Sequence, residues 1–195
     1  GGNSGWVALL PYFITKPIVQ PSPYLRISPE NVKNKMADLE FFVKNPIPED
    51  YKKYFPDSTV RAYKNAYEQI QVTQQAFYPI PTVTFPLEGV MAKPRKIALL
   101  VDNFCGSSAE YFFYLSRQSA KTTTYGINTL GMMDYEGMSV PTPMPYSNYT
   151  LTIPISQSNW TAQKPIDQTG FTPDVLLHHI ERQHWVPYVQ QQMEK

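Results

Sequence analysis

The chain has 195 residues, 42% of them hydrophobic, and a net charge of +1. This length and composition predict a folded domain with a substantial core, while the scattered charges give neither a basic stripe for nucleic acid nor an acidic block typical of a disordered tail. The single cysteine, Cys105, excludes an internal disulfide and a cysteine-based zinc site, and no apolar run reaches the roughly 20 residues that a membrane-spanning helix requires.

The first ninety residues predict helices separated by proline-rich connections. Residues 1–6, GGNSGW, form an abrupt start without a charged leader, so we expect the chain to be the C-terminal part of a longer protein. Helices are predicted over residues 4–14, from a Ser28 cap to about residue 44, and over 57–77, with an extended segment over 15–28. We expect residues 15–90 to be a helical insertion or a lid.

From residue 96 the pattern changes to alternating strands and helices, which predicts a core over residues 95–180. Strands are predicted over residues 96–102, 121–126, 137–140, 149–155 and 173–177, and helices over 106–118 and 184–194.

The most informative stretch is LLVDNFCGSSAE, residues 99–110. It predicts a buried strand, a tight turn at Gly106 and a helix that begins with two serines. A serine hydroxyl at a helix N-terminus lies where backbone N–H groups and the helix dipole stabilise developing negative charge, as acyl transfer requires. The pattern alone leaves Ser107 and Ser108 as competing nucleophiles and an ordinary helix cap as a third interpretation. It is not the G-x-S-x-G nucleophile motif, because Ala109 stands at the last position.

The stretch DNFCGSSAE resembles the nucleophile motif of the tail-specific, or C-terminal-processing, serine peptidases (serine peptidase family 41). Three further stretches are similar to family segments in the same order, namely GGN at residues 1–3, GINTLGMMDY at 126–135 and IDQTGFTPDV at 166–175. The resemblance implies that Ser107 is the nucleophile. It also implies an oxyanion hole made by the N–H of Ser108 and a glycine N–H of Gly1 or Gly2.

The resemblance also bears on the catalytic base. One version of the family uses a lysine at the position of Met132, and a methionine cannot accept a proton. The chain therefore resembles the tricorn-core-like branch, in which a histidine is the base and an acid supports it. Asp167, three residues before Gly170, matches that acid, although a plain turn residue explains it equally well.

The three histidines, His178, His179 and His184, all follow the family's closing segment, and we expect them to face solvent. The resemblance then places the general base before Gly1, outside this chain, so we expect the chain alone to be inactive. Glu110, in the first turn of the predicted helix, is interpreted as structural because its charge complements the helix dipole.

The resemblance implies an α/β fold, a ClpP/crotonase-like ββα superhelix truncated at its N-terminus, with residues 1–195 as the C-terminal part of one peptidase catalytic domain. The implied function is that of a serine endopeptidase or carboxyl-terminal-processing peptidase, a hydrolase without cofactor or metal. The implied partners are a peptide or protein substrate and the missing N-terminal part of the same protein, and not nucleic acid. Export to the periplasm or cell surface is also implied. The alternative is a catalytically inactive binding module for peptides or apolar ligands, like the interphotoreceptor retinoid-binding proteins that share this fold.

Overall fold

The computed structural model describes residues 5–146 and 148–194, and the chain forms two units. The first unit contains the residues up to Val19, Phe85–Met133 and those from Ile166 onward, and the second contains Gln20–Thr84 and Asp134–Pro165. Residues 134–165, inside the predicted core segment, therefore belong to the same unit as most of the predicted insertion. The predicted oxyanion donors Gly1 and Gly2 lie outside the described residues.

The helices are α1 (Leu10–Phe13), α2 (Pro29–Lys44), α3 (Asp57–Gln69), α4 (Ser108–Ser116) and α5 (Trp185–Met193), with short 3-10 helices at Val7–Leu9, Glu49–Tyr51 and Arg182–His184. The strands are β1 (Ile18–Val19), β2 (Pro23–Arg26), β3 (Phe77–Pro79), β4 (Thr84–Phe85), β5 (Ile97–Val101), β6 (Thr122–Gly126), β7 (Tyr135–Met138), β8 (Thr142–Pro143), β9 (Thr150–Leu151), β10 (Pro154–Ser158) and β11 (Val175–Leu176). In the described part of the chain, no helix combines the length and the apolar character needed to cross a membrane.

A parallel sheet in the order β11-β6-β5 forms the centre of the first unit. The run of apolar residues in β5 and the β-branched threonines of β6 favour strands that are covered on their faces. One buried cluster contains Trp6, Leu10, Phe13, Ile18 and Leu115, and a second contains Tyr125, Leu177, Trp185 and Val189. The predicted strand–helix–strand over residues 96–126 is confirmed, with β5 as one edge of the sheet.

The second unit is built on an antiparallel sheet in the order β3-β2-β10-β7, and its core joins α2 and α3 to this sheet through Leu25, Leu39, Ala66, Ile70 and Ile80. The predicted start of α2 is confirmed, because Ser28 accepts a hydrogen bond from the backbone N–H of Asn31 at 3.2 Å.

Two predicted boundaries in this unit are wrong. Helix α3 ends at Gln69 and not at residue 77, since only Ile70 among residues 70–76 contributes to the core and strand β3 begins at Phe77. The predicted strand 149–155 is divided into β9 and β10. Pro154 opens the second of these strands, the position where a proline, which lacks an N–H, is tolerated.

Candidate active site

Ser107 lies in the turn between β5 and α4 with backbone angles φ 51° and ψ −117°. A non-glycine residue in this region carries a strain of about 1–3 kcal/mol, and such strain is concentrated at functional sites. Ser107 is exposed and precedes Ser108, the first residue of α4, so its side chain lies at a helix N-terminus.

At Gly106 the turn packs closely on a neighbouring loop. A Cβ atom at this position would lie 2.9 Å from Cδ2 of Leu130 and 3.1 Å from Sδ of Met132. The N–H of Leu130 also donates a hydrogen bond of 2.8 Å to the carbonyl oxygen of Cys105. The turn is therefore held against the loop by backbone and side-chain contacts.

Glu110 joins the turn to this loop through a fully buried carboxylate. Its Oε1 accepts hydrogen bonds from the Thr129 hydroxyl at 2.5 Å and the Gly131 N–H at 2.6 Å. Its Oε2 accepts from the Met132 N–H at 2.7 Å and the Ser107 N–H at 3.1 Å. A buried carboxylate is tolerated only when such donors replace water. Glu110 thus fixes the backbone of Ser107, and its role extends beyond complementing the helix dipole.

The closing segment, residues 166–171, packs on the same loop. Thr129 and Phe171 exchange two hydrogen bonds, one from the Thr129 N–H to the Phe171 carbonyl at 3.1 Å and one from the Phe171 N–H to the Thr129 hydroxyl at 2.7 Å. Gly170 has φ +68°, and a Cβ atom there would lie 1.9 Å from the Thr129 carbonyl oxygen. The three motif segments that resemble the peptidase family downstream of residue 95 therefore form one connected structure.

Asp167 belongs to this closing segment, where it is exposed and follows the buried Ile166. The residue before it, Ile166, packs on the loop that contacts the Ser107 turn, because its carbonyl oxygen would lie 2.2 Å from a Cβ atom at Gly131. Its assignment as the acid that orients a histidine stays a prediction.

Asp174, in the Pro-Asp part of the closing stretch, has a structural role that sequence reasoning missed. Its Oδ2 accepts hydrogen bonds from the N–H and the hydroxyl of Thr124, at 2.8 and 2.7 Å, and its Oδ1 lies 3.3 Å from Nη2 of Arg117. Desolvation raises the pKa of Asp174, but the hydrogen bonds from Thr124 and the charge of Arg117 outweigh it and hold the pKa below its ordinary value. This carboxylate secures the approach of β11 to β6.

The three histidines are exposed, as the sequence predicts. His184 has one neighbouring carboxylate, with Nδ1 at 4.0 Å from Oε2 of Glu181. Met132, at the position of the family's lysine base, contributes its backbone N–H to Glu110 and has no group that can accept a proton at neutral pH.

A cavity of about 440 Å³ lies beside the Ser107 turn. Its walls are mostly apolar and consist of Leu99, Leu100, Val101, Asp102, Phe104, Cys105, Ala109, Phe112 and Trp185. Burial, with smaller contributions from Glu110 and Asp102, raises the pKa of the Cys105 thiol to about 11. The thiol is therefore mostly protonated at neutral pH, which makes it a weak nucleophile.

Arg182 contacts two residues of the cavity wall, Asp102 and Phe104. Its guanidinium lies 3.1 Å from Oδ2 of Asp102, donates to Oδ1 of Asn103 at 2.5 Å, and stacks over Phe104 at 5.6 Å. Sequence reasoning missed Arg182 because its partners lie about 80 residues earlier, and no local pattern signals such a pair.

Comparison with solved structures shows that the chain shares its fold with peptidases. No family model matches the chain, and no curated protein matches it. The structure of mature CPAF, a chlamydial serine protease of the tail-specific protease family, in complex with lactacystin, is similar with a TM-score of 0.64 at 16% identity, over 94% of this chain and 39% of CPAF. A candidate peptidase from Parabacteroides merdae is similar with a TM-score of 0.56 at 12% identity, over 100% of this chain and 47% of that protein. The chain thus shares its fold with peptidases and spans less than half the length of these two neighbours.

Proposed function

We propose that this chain is the C-terminal part of the catalytic domain of a tail-specific serine peptidase of the tricorn-core-like branch. It would cleave peptide bonds through an acyl-enzyme at Ser107, as an endopeptidase or a carboxyl-terminal-processing peptidase. The observation that carries the proposal is the strained backbone of an exposed serine at the N-terminus of α4, at φ 51°. Fold similarity to CPAF supports the same conclusion.

In this proposal the hydroxyl of Ser107 attacks the scissile carbonyl while the resulting oxyanion accepts hydrogen bonds from the N–H of Ser108 and from Gly1 or Gly2. Asp167 would orient a histidine base contributed by a segment of the whole protein beyond residues 1–195. An unassisted serine is a poor nucleophile at neutral pH, so residues 1–195 by themselves would hydrolyse peptides slowly or not at all. The family resemblance further leads us to propose a ClpP/crotonase-like superhelix for the whole domain and export from the cytoplasm.

Covalent labelling of the whole protein tests the proposal. A fluorophosphonate probe is expected to label the wild type, with the Ser107 oxygen attacking phosphorus and fluoride leaving. The variant Ser107→Ala should abolish labelling, and the matched variant Ser108→Ala, one residue away, should keep it because only its side chain changes. No labelling of the wild type, or labelling that survives Ser107→Ala, would exclude Ser107 as the nucleophile.

The second candidate function is a binding module for peptides or apolar ligands. The observation in its favour is the largely apolar cavity of about 440 Å³ beside the turn. The test is binding of an apolar fluorescent probe to the whole protein, which Leu99→Trp should weaken because Leu99 lines the cavity. Such binding, together with no fluorophosphonate labelling at Ser107, would favour this function over peptidase activity.

A further inference from the structure

Arg182 contacts three consecutive residues of the loop that leads from β5 into the Ser107 turn. Its Nη1 lies 3.1 Å from Oδ2 of Asp102, and its Nη2 donates a hydrogen bond of 2.5 Å to Oδ1 of Asn103. Its guanidinium also lies 5.6 Å from the centre of the Phe104 ring, within the range of a cation–π contact. One side chain, 79 residues beyond Asn103, therefore holds three neighbouring points of this loop.

The guanidinium of Arg182 is itself fixed from the opposite direction. It lies 5.8 Å from the ring centre of Trp185, the first residue of α5, which is buried in the core of the first unit. A guanidinium is planar and presents its N–H donors in a rigid fork, so it can bind two oxygen atoms while its face stacks on an aromatic ring. A lysine ammonium at this position would keep the charge but could not reproduce this set of contacts.

The contacts of Arg182 reach the Ser107 turn through the hydrogen bonds of Asp102. Oδ1 of Asp102 accepts a hydrogen bond of 2.9 Å from the N–H of Phe104, and its carbonyl oxygen accepts one of 2.9 Å from the N–H of Cys105. Cys105 stands two residues before Ser107. The carboxylate that Arg182 holds therefore also sets the backbone path into the turn.

Burial does not hold this loop in place. Asn103 is exposed, and the side chain of Phe104 is 80% exposed. Segments with few buried contacts open easily unless polar contacts hold them. On the other side of the turn, Glu110 accepts a hydrogen bond from the N–H of Ser107. A strained backbone such as that of Ser107 at φ 51° persists only when its surroundings fix it.

We propose that Arg182 is a positioning residue for Ser107, which fixes the start of the turn as Glu110 fixes its end. The proposal rests on the proposed peptidase function, in which Ser107 is the nucleophile. In this role Arg182 touches neither the substrate nor the reacting atoms, because its donors are directed at Asp102 and Asn103. A displacement of about 1 Å at a reacting atom can cost about 100-fold in rate. Loss of Arg182 should therefore lower the reactivity of a serine that is still present.

The rate of fluorophosphonate labelling tests this role in the whole protein, well below its unfolding midpoint. Arg182→Met keeps a side chain of similar length without donors or charge, and we expect it to lower the rate constant at least about tenfold. Arg182→Lys should recover only part of the loss. Arg61→Met, a change at an exposed arginine of α3, is the matched control and should leave the rate unchanged.

Steady-state kinetics with a peptide substrate separate positioning from binding. In Arg182→Met, kcat should fall with the labelling rate while KM stays within about twofold of the wild type, since the lost interaction acts on the nucleophile. An unchanged labelling rate would overturn the proposal. A higher KM at unchanged kcat would also overturn it, because Arg182 would then bind the substrate.

Hydrogen exchange measures the anchoring without any reaction, so the two proposals fail separately. In Arg182→Met the amides of Phe104 and Cys105, whose acceptors both belong to Asp102, should exchange at least about tenfold faster, whereas the Ile97 amide in the sheet should not change. Asn103→Ala, which removes one acceptor at an exposed position, should have the same effect to a smaller degree and keeps the test decisive if Arg182→Met does not fold. Unchanged exchange of the two amides would overturn the positioning role, whether or not Ser107 is labelled. Faster exchange without any labelling of the wild type would exclude the peptidase function and show that Arg182 still holds the loop.

Discussion

Replacing Glu110 by glutamine is expected to loosen the turn that holds Ser107. The carboxylate accepts two hydrogen bonds at each oxygen, from Thr129 and Gly131 at Oε1 and from Met132 and Ser107 at Oε2. Glutamine has almost the same shape but only one oxygen. In either orientation its amide nitrogen would face at least one backbone N–H, and two donors cannot form a hydrogen bond with each other.

The magnitude follows from the number and kind of these bonds. A hydrogen bond to a charged group contributes about 1.5–3 kcal/mol to stability. The sum over all four bonds is therefore an upper bound for the loss in the variant. The loss is smaller because the neutral amide keeps some bonds and avoids the desolvation of a carboxylate. The amide nitrogen of glutamine leaves at least one of these donors without an acceptor, which costs about 1–3 kcal/mol, and we expect Glu110→Gln to lose about this much. That is a substantial part of the total stability of about 5–15 kcal/mol of a typical domain.

Urea unfolding measures this loss, and hydrogen exchange locates it. The amides of Gly131 and Met132 should lose protection in Glu110→Gln, because their acceptor is the substituted group. The matched control is Glu181→Gln, whose side chain is 76% exposed and whose effect should stay within about 0.5 kcal/mol. A loss below about 1 kcal/mol in Glu110→Gln, or unchanged exchange of the two amides, would refute the anchoring role of Glu110.

Three further predictions follow from the first unit. Gly170→Ala should destabilise the protein by more than the roughly 1–3 kcal/mol of backbone strain alone, because its Cβ would lie 1.9 Å from a carbonyl oxygen. Gly89→Ala is the control in urea unfolding, since Gly89 has a similar φ of +61° but no atom within 4 Å of the added Cβ. Equal losses in the two variants would contradict the steric argument. Because the folded-state pKa of Asp174 is lowered, its contribution should be present above its unfolded pKa of about 3.9 and disappear as the pH falls through the lower folded value. Asp174→Asn should therefore reduce the fall in the free energy of unfolding at acid pH by at most about 1 kcal/mol, since the ion pair with Arg117 is partly exposed. The same pH dependence of stability as in the exposed control Asp50→Asn would contradict this prediction. The Cys105 thiol, with a pKa of about 11, should react with a disulfide reagent at pH 8 roughly 100-fold more slowly in the folded than in the unfolded chain, and comparable rates would show that the thiol is not buried.

The sequence was sufficient to predict the parts of the site that depend on local pattern. The run IALLV, the β-branched run TTTYG and the apolar helix between them each carry their own signal, so β5, α4 and β6 were predicted within a residue or two. The three stretches downstream of residue 95 that resemble family segments also lie together in the structure, through the contacts of Glu110 and Thr129.

Contacts between distant residues could not be predicted in this way. Glu110 looks like an ordinary acidic residue in a first helical turn, and nothing nearby in the sequence indicates that its carboxylate bonds to the backbone 21 and 22 residues later. The hydrogen bonds between Asp174 and Thr124 span 50 residues. The division into two units likewise depends on which distant segments share a core, and no composition change in the sequence marks residue 134.

The hydrogen bonds of Glu110 account for the strained backbone of Ser107. A serine held at φ 51° would relax to a more favourable backbone conformation if the turn were free to move. Glu110 opposes this relaxation, because it accepts a hydrogen bond from the Ser107 N–H and fixes the loop at Gly131 and Met132 on which the turn packs. The position of the proposed nucleophile is therefore determined within residues 1–195, whereas its activation would depend on the groups that the rest of the protein adds. This separation predicts that a Glu110 variant should impair labelling of Ser107 even when the base is intact, by displacing the hydroxyl that the base must reach.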